Sequence, residues 1–358
     1  MTGSESEYQA FYRGRSVMIT GGLGFIGSNL ARQLVDLGAR VLLIDSLISD
    51  YGGNLFNIDG IEDRLKVNIA DIRQQSTMNY LVRDHDVIFN LAGQVSHIDS
   101  MREPYTDLEI NCRAQLSLLE ACRHNNPSVK VVFAGTRQIY GRADFLPVTE
   151  SHLVRPTDVN GINKAAGEYY HMVYNNVFGV RACSLRLTNV YGPRQLLKHN
   201  RQGFIAWFIR QTVEDREIQI YGDGEQLRDF VFVDDAADAF LRAGASDRSN
   251  GEVFNVGGAE AISLRQLVDL LLSVAGTGRY RLIEWPQDKK AIDIGDFHAD
   301  SSLIKRTLGW QPTTALRDGL RRTVEFYRAH MSHYVPSGSP VHPTAHSARG
   351  GGPGVAAL

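Results

Sequence analysis

Gly21, Gly24 and Gly27, spaced three apart, and Asp45 some 18 residues beyond them are residues whose types and spacing suit a bound dinucleotide. One glycine permits a tight turn, one lets the backbone approach a pyrophosphate, and one lets the next helix pack closely on a sheet. The N-terminus of that helix turns free N–H groups and the positive end of its dipole toward the phosphates. Asp45 would accept hydrogen bonds from a ribose diol and repel an added 2′-phosphate, so NAD is favoured over NADP.

These residues need a strand before them, a helix through them and a strand after them. Val17, Met18 and Ile19 form the first apolar run, Ile26, Leu30, Leu34 and Leu37 make one helical stripe, and Val41 to Ile44 read as the second strand, closing on Asp45. Short apolar runs at Leu65 to Asn68, Val87 to Leu91, Val129 to Ala134 and Ala182 to Leu187 then alternate with helical stretches near Asp107 to His124 and Gly161 to Val177. The alternation predicts an α/β fold, a Rossmann-type doubly wound parallel sheet. Loops beginning at Gly21, Asp71, Ala92, Gly135 and Thr188 should therefore meet in one crevice beyond the carboxyl ends of the strands.

From about Tyr191 the pattern becomes irregular, with Pro193, the basic residues Arg194, Lys198, His199 and Arg201, and the turn Gly222-Asp223-Gly224. This portion reads as a smaller interleaved α/β substrate lobe, because Phe230 to Ala243 looks like a helical return and Val253 to Val256 like a further buried strand. The expected division is a flexible N-terminus over 1–14, a dinucleotide-binding unit over 15–190 with return segments near 230–257, a lobe over 191–334 and a disordered tail over 335–358.

Among the 358 residues, 38 Lys and Arg face 40 Asp and Glu, a balance that gives no electrostatic argument for nucleic acid or an anionic membrane. Cys112, Cys122 and Cys183 lack paired spacing and read as small apolar core residues of a reducing, cytoplasmic compartment. The opening MTGSESEYQA lacks the pattern of an export signal, and no apolar run is long enough for a membrane span. His342 and His346 sit in a Pro, Gly and Ala-rich stretch, and no metal site is expected.

Further landmarks are Thr20-Gly21-Gly22-Leu23-Gly24-Phe25-Ile26-Gly27, Asp71-Ile72, Asn90-Leu91-Ala92-Gly93, Thr136 with Tyr140-Gly141, Lys164-Ala165-Ala166-Gly167-Glu168, Leu187-Thr188-Asn189-Val190-Tyr191-Gly192-Pro193, and Gly222-Asp223-Gly224 followed by Arg228-Asp229-Phe230. Over roughly residues 15 to 330 the chain thereby resembles the extended short-chain dehydrogenase/reductases, specifically the NAD-dependent nucleotide-sugar epimerases and dehydratases. The resemblance implies that Gly21, Gly24, Phe25, Ile26, Gly27, Asp45, Leu91, Ala92 and Gly93 line the cofactor. It implies that Asp71 and Ile72 hold the adenine and that Lys164 holds the nicotinamide ribose. On the substrate side it implies Thr136 at the reacting hydroxyl, then Asn189, Tyr221, Arg201 and Arg228, the last on the nucleotide diphosphate. The helices near Leu108 to Cys122 and Ala165 to Val177 correspond to those that such proteins pair into a homodimer.

One position departs from the pattern. Family members carry tyrosine four residues before the lysine, and this chain has Asn160-Gly161-Ile162-Asn163-Lys164. A phenol beside an ammonium can accept a sugar hydroxyl proton; an amide can orient a hydroxyl but stores no proton. A positioned acid/base contributes about 10²- to 10⁴-fold, so either another group has taken over or the residue is an inactivating substitution. The candidates are Thr136, Lys164, His97 on the loop after the Asn90 strand, and Tyr140, which reads as structural. Arg137 and Gln138 stand where related 4,6-dehydratases carry a carboxyl pair, which disfavours that reaction. The sequence thus points to 4-epimerisation of a nucleotide sugar through a transient keto sugar. The alternatives are dehydration, decarboxylation or ketoreduction with atypical acid/base chemistry, and a non-catalytic NAD or nucleotide-sugar binding protein.

Overall fold

The computed structural model describes residues 6–287, 290 and 292–335. The expected tail beyond Val335, with His342 and His346, lies outside the described residues. In chain order the first half runs α1 (Glu7–Phe11), β1 (Ser16–Thr20), α2 (Phe25–Asp36), β2 (Arg40–Asp45), β3 (Lys66–Ile69), α3 (Gln75–Leu81), β4 (Val87–Asn90), α4 (His97–Arg102), α5 (Pro104–Leu108), α6 (Ala114–Asn125), β5 (Lys130–Thr136), α7 (Val159–Phe178) and β6 (Arg181–Leu187). The second half runs β7 (Asn189–Tyr191), α8 (Phe204–Val213), β8 (Glu217–Tyr221), β9 (Leu227–Phe232), α9 (Val233–Ala245), β10 (Val253–Val256), β11 (Ala261–Ser263), α10 (Leu264–Ala275), β12 (Arg279–Ile283), α11 (Ser302–Leu308) and α12 (Leu316–His330). No described helix is long and apolar enough to cross a membrane.

Seven strands form one parallel sheet in the order β10-β6-β5-β4-β1-β2-β3. Alternate side chains of a strand serve opposite faces, and β1 shows this directly. Val17 and Ile19 join a core with Leu30, Leu34, Ala236 and Phe240 from α2 and α9. Met18 joins the other, with Met78, Leu118, Leu119 and Tyr174 from α3, α6 and α7. A fully buried side chain such as Phe240 contributes roughly 1.5–3 kcal/mol by transfer alone, and its truncation to alanine would cost about 3–5 kcal/mol once the cavity is included. The chain reverses direction across the sheet between β1 and β4, which opens the crevice there.

Beyond β6, a second core gathers Phe208, Ile209, Ile218, Leu267, Leu271, Leu320 and Tyr327, framed by the sheets β11-β9-β7 and β12-β8. The chain then returns, and β10 adds to the open edge of β6 with Val253 opposite Ser184 and Val256 opposite Leu187. Two sequence expectations are corrected. Phe230 to Phe232 are strand, not helix, because their aromatic and β-branched side chains pair beside Asn189 to Tyr191, so α9 begins only at Val233. Residues 7 to 14 are not a loose lead: Tyr12 is fully buried and its hydroxyl donates to Leu241 O at 2.7 Å.

Candidate active site

The carboxyl ends of β1, β2, β4, β5 and β6 surround a crevice of about 410 Å³, within the usual size of a small-molecule site. At one end the glycine turn forms its wall. Gly21 has φ +68°, and a Cβ there would meet Ala92 N and Cα at 3.0 Å. A Cβ on Gly27 would lie 2.3 Å from Gly21 O, so only glycine lets α2 start against the turn. Gly24 caps α2 without any side-chain bond, which leaves the first N–H groups of the helix to a ligand. Asp45 accepts from Leu23 N at 3.0 Å and Leu47 N at 2.8 Å, bracing the turn from the end of β2. Burial raises its carboxyl above the ordinary range, and those two bonds oppose the rise. Asp71 is gripped by Arg73 Nε at 3.0 Å and Nη2 at 2.5 Å beside buried Ile72. Leu91 N and Ala92 N both donate to Thr20 Oγ1 at 3.1 Å, which fixes the strand end that carries Gly93.

At the other end β5 finishes at Thr136, whose Oγ1 accepts from Gln138 N at 3.3 Å. Helix α7 begins where Asp158 Oδ1 accepts from Gly161 N at 2.7 Å, and it stops at Gly179, φ +73°. Its buried Glu168 accepts from Ser184 Oγ at 2.8 Å and pairs with Arg186 at 2.6 Å, which fixes the helix to β6. Asn160 and Lys164 lie one turn apart and share a face. Lys164 Nζ donates to Ala134 O at 2.8 Å and stands 4.7 Å over the Phe133 ring. Burial pushes its pKa down to about 8, against the pull of Asp107 and Glu168.

Asn160 is 2 % exposed, and its amide nitrogen is committed. Nδ2 donates to Gln94 O at 2.8 Å and to Asp107 Oδ2 at 3.0 Å. Asp107, fully buried on α5, also accepts from Asn163 Nδ2 at 2.8 Å and Asn111 Nδ2 at 3.0 Å. Three amides thus converge on one carboxyl, and Asn160 ties α7 to α5 in a buried polar network in which Asn111 Oδ1 alone of those amide atoms is buried without a partner among the described residues. Tyr140 lies away from the crevice, donating to Asn255 Oδ1 at 2.7 Å and accepting from Arg186 Nη1 at 2.6 Å; burial pushes its pKa up to about 12.

The crevice gathers all the residues assigned to the cofactor, together with Thr136, Asn160, His97 and Asn189. Asn189 Nδ2 donates to Asp229 O at 2.8 Å, and its Oδ1 accepts from Arg137 Nη2 at 3.2 Å. Arg201, Tyr221 and Arg228 are placed elsewhere. Arg201 pairs with Asp99 at 3.1 Å and Asp50 at 3.4 Å on an adjoining hollow, and Tyr221 packs 5.3 Å from Trp285 at the end of β8. Arg228 is buried on Leu227 O and Gly295 O, 3.7 Å from Asp293. Sequence reasoning missed Asp158, Gln94 and Asp107. An N-cap aspartate ahead of α7 was a readable signal for the first, but nothing local foretold its partner 61 residues away, His97, whose Nδ1 lies 2.8 Å from Asp158 Oδ2. His97 opens α4 and does not sit in a loop, because Ser96 caps that helix through Asp99 N.

The residues present fit NAD: a turn that only glycine can make, an uncapped helix N-terminus, a carboxylate at the second strand, and Thr188 Oγ1 buried at the crevice without a partner among the described residues. Residues 17–257 match the model of the NAD dependent epimerase/dehydratase family. The UDP-glucose 4-epimerase of Mycolicibacterium smegmatis is 33 % identical over 312 residues, 87 % of this chain and 98 % of that protein. A crystal structure of Thermotoga maritima UDP-glucose 4-epimerase with UDP-glucose superposes with a TM-score of 0.80 at 31 % identity, covering 88 % of this chain and 99 % of that one. A Streptomyces venezuelae dTDP-glucose 4,6-dehydratase with NAD bound does so at 0.80 and 28 % identity, covering 88 % and 98 %.

Proposed function

The chain belongs to the NAD dependent epimerase/dehydratase family, and on that premise we propose that it is a nucleotide-sugar epimerase acting at the sugar C4. The observation that carries this reading is the pairing of a dinucleotide turn at one end of the crevice with Thr136 and Lys164 at the other. Bound NAD would supply the hydride acceptor and donor. Thr136 Oγ1 orients the reacting hydroxyl, and Lys164, held on Ala134 O, sits deep enough on α7 to place a ribose. The turn after β5 carries Arg137 and Gln138 and no carboxyl pair, which speaks against elimination of water.

A second reading concerns the sugar. The Arg137 guanidinium is buried beside Thr136 with no carboxylate within ion-pair distance among the described residues, and its Nη1 has no partner. Burial and the nearby Arg228 push its pKa down to about 9. A cation so placed favours a substrate with a carboxylate, a nucleotide-linked uronic acid.

The apolar residues Tyr169, Val173 and Val177 are exposed at one-turn spacing along α7, with Tyr105 and Leu108 exposed on α5, which supports a homodimer built on these helices. Three free cysteines, two of them buried, agree with a cytoplasmic enzyme.

The test is incubation of the NAD-loaded protein with UDP-, GDP-, CDP- and dTDP-linked hexoses and hexuronates, followed by NMR of the sugar. Inversion at one ring carbon with no net change in nicotinamide is expected. A protein that changes none of them and gives no nicotinamide absorbance on mixing would overturn the reading.

A further inference from the structure

We propose that His97, held by Asp158, is the acid/base of this site and does the work that a phenol at position 160 cannot; the proposal rests on the epimerase reading above. The two residues arrive from separate elements, His97 at the start of α4 and Asp158 at the cap of α7. Asp158 divides its oxygens: Oδ1 takes Gly161 N at 2.7 Å and holds the helix, while Oδ2 lies 2.8 Å from His97 Nδ1. The carboxylate side chain is 3 % exposed and the imidazole 27 %, so the buried member backs the one that faces the crevice. Burial alone would raise the Asp158 carboxyl, but the bond and charge of His97 and the Gly161 N–H hold it below its ordinary value.

With its Nδ1–H given to Asp158, the neutral imidazole carries its lone pair on Nε2, where the Gln138 amide donates until a substrate hydroxyl takes its place. Gln138 Nε2 lies 2.5 Å from that atom, and Gln138 N donates to Thr136 Oγ1 at 3.3 Å. One residue therefore bridges the hydroxyl that orients the substrate and the nitrogen that would take its proton. An amide suits the place between them, since a half-turn exchanges donor for acceptor and so meets either the neutral ring or its cation. The close approach of α7 depends on Gly161, where a Cβ would lie 3.1 Å from Gln138 O and 2.8 Å from Pro156 Cβ.

The rival groups are engaged elsewhere, Asn160 Nδ2 on Gln94 and Asp107, and the Tyr140 phenol on Asn255 and Arg186. The charges that bear on His97 come from three directions. They are Asp158 at the cap of α7, Arg137 on the turn after β5 and Lys164 deeper on α7, while Asp99 on α4 itself is taken up by Arg201. When the sugar alcohol is oxidised, the hydroxyl proton would pass to Nε2, leaving a ketone and an imidazolium, and the NAD that the crevice would hold would supply the acceptor for the carbon-bound hydrogen and its electron pair. When the ketone is reduced, the imidazolium would return that proton to the oxygen, with the hydride supplied back by the reduced cofactor to the opposite face of the carbon, so that no net proton or electron would be consumed.

Wild type, His97→Gln and Asp158→Asn, each loaded with NAD, are compared in single turnovers from pH 5 to 9 on the nucleotide sugar that wild type converts, with binding read by calorimetry. Wild-type rates should rise with pH through the imidazole range. His97→Gln should lose that limb and fall about 10²- to 10⁴-fold while still binding both nucleotides. Asp158→Asn keeps a good helix cap, and it should move the limb to lower pH, because the imidazolium loses its counter-charge. That shift is a second readout should His97→Gln fold poorly. Wild-type rates and limb retained in His97→Gln, or an unmoved limb in a folded Asp158→Asn, would overturn this proposal alone. A wild type inactive on every nucleotide sugar would overturn the epimerase reading and this proposal with it.

Discussion

Restoring the family's phenol by Asn160→Tyr should damage the protein and leave turnover no faster. The asparagine gives one hydrogen bond to a carboxyl, worth about 1.5–3 kcal/mol, and one to a carbonyl, worth about 0.5–1.5 kcal/mol. Neither acceptor is orphaned by the change, since Asp107 keeps Asn163 and Asn111 and Gln94 O keeps Asn111 Nδ2 at 2.8 Å. The lost bonds therefore amount to roughly 2–4 kcal/mol, and a ring forced into a site with 2 % exposure adds about 1–3 kcal/mol of overpacking. A total near 3–7 kcal/mol is a large part of the ~5–15 kcal/mol that holds a domain folded. Urea midpoints should fall accordingly, with Asn160→Ala falling by the hydrogen-bond share alone. Turnover should stay at or below wild type, because the acid/base is elsewhere. If Asn160→Tyr proved within about 1 kcal/mol of wild type and turned over ~10²-fold faster, the network around Asp107 would be incidental and position 160 an inactivated catalytic site.

Further expectations follow from other residues. Asp45→Ala should weaken NAD by about 10-fold or more while leaving NADP little changed, since the diol loses its acceptor and the 2′-phosphate its repulsion; equal binding of the two cofactors by wild type in calorimetry would refute this. Lys164, held near pKa 8 against ~10.4 unfolded, makes the native state bind fewer protons in that window, so stability should rise by at most about 3 kcal/mol from pH 8 to 10.4 and be lost as pH falls back. Denaturation of Lys164→Met should lack that increment, and parallel pH profiles for the two proteins would count against it. Val173→Glu should place a charge in the exposed stripe of α7 and give a monomer by sedimentation, whereas a variant that still sediments as a dimer would exclude this surface.

Strands whose two faces are both buried are easy to read, and Val17 to Ile19, Val41 to Ile44, Val87 to Asn90 and Ala182 to Leu187 all lie within the observed sheet. The glycine turn at the head of α2 was equally legible, because its geometry is local: three glycines, one helix and one aspartate within a single crossover. Phe230 to Phe232 misled because three apolar residues ahead of a helix fit either period, and only pairing with Asn189 to Tyr191 decides. The side chains around Asn160 were illegible for a different reason. Gln94, Asp107 and Asn163 lie far apart in the chain, and each alone is an ordinary polar residue; their meaning comes from burial in common. Arg228, assigned by motif, lies outside the crevice lining with Nη1 on Leu227 O and Gly295 O and Nη2 on Gln226 Oε1, while its Nε has no partner among the described residues.

The return of the chain to lay β10 beside β6 has a consequence for synthesis. Roughly 65 residues separate Leu187 from Val253, and at ~5–20 residues per second the nascent chain takes some 3–13 s to supply the last strand. Through that interval β6 presents an open row of N–H and C=O groups flanked by Ala182, Cys183 and Leu185, a ready template for another chain. A fragment cut at the apparent boundary near residue 190 keeps this edge permanently and should self-associate. An exchange of specificity lobes between relatives thus has to cut on both sides of the returning segment α9–β10, because Leu267, Leu271, Leu320 and Tyr327 of the lobe follow it while Phe240 and β10 must stay with the sheet they cover and close.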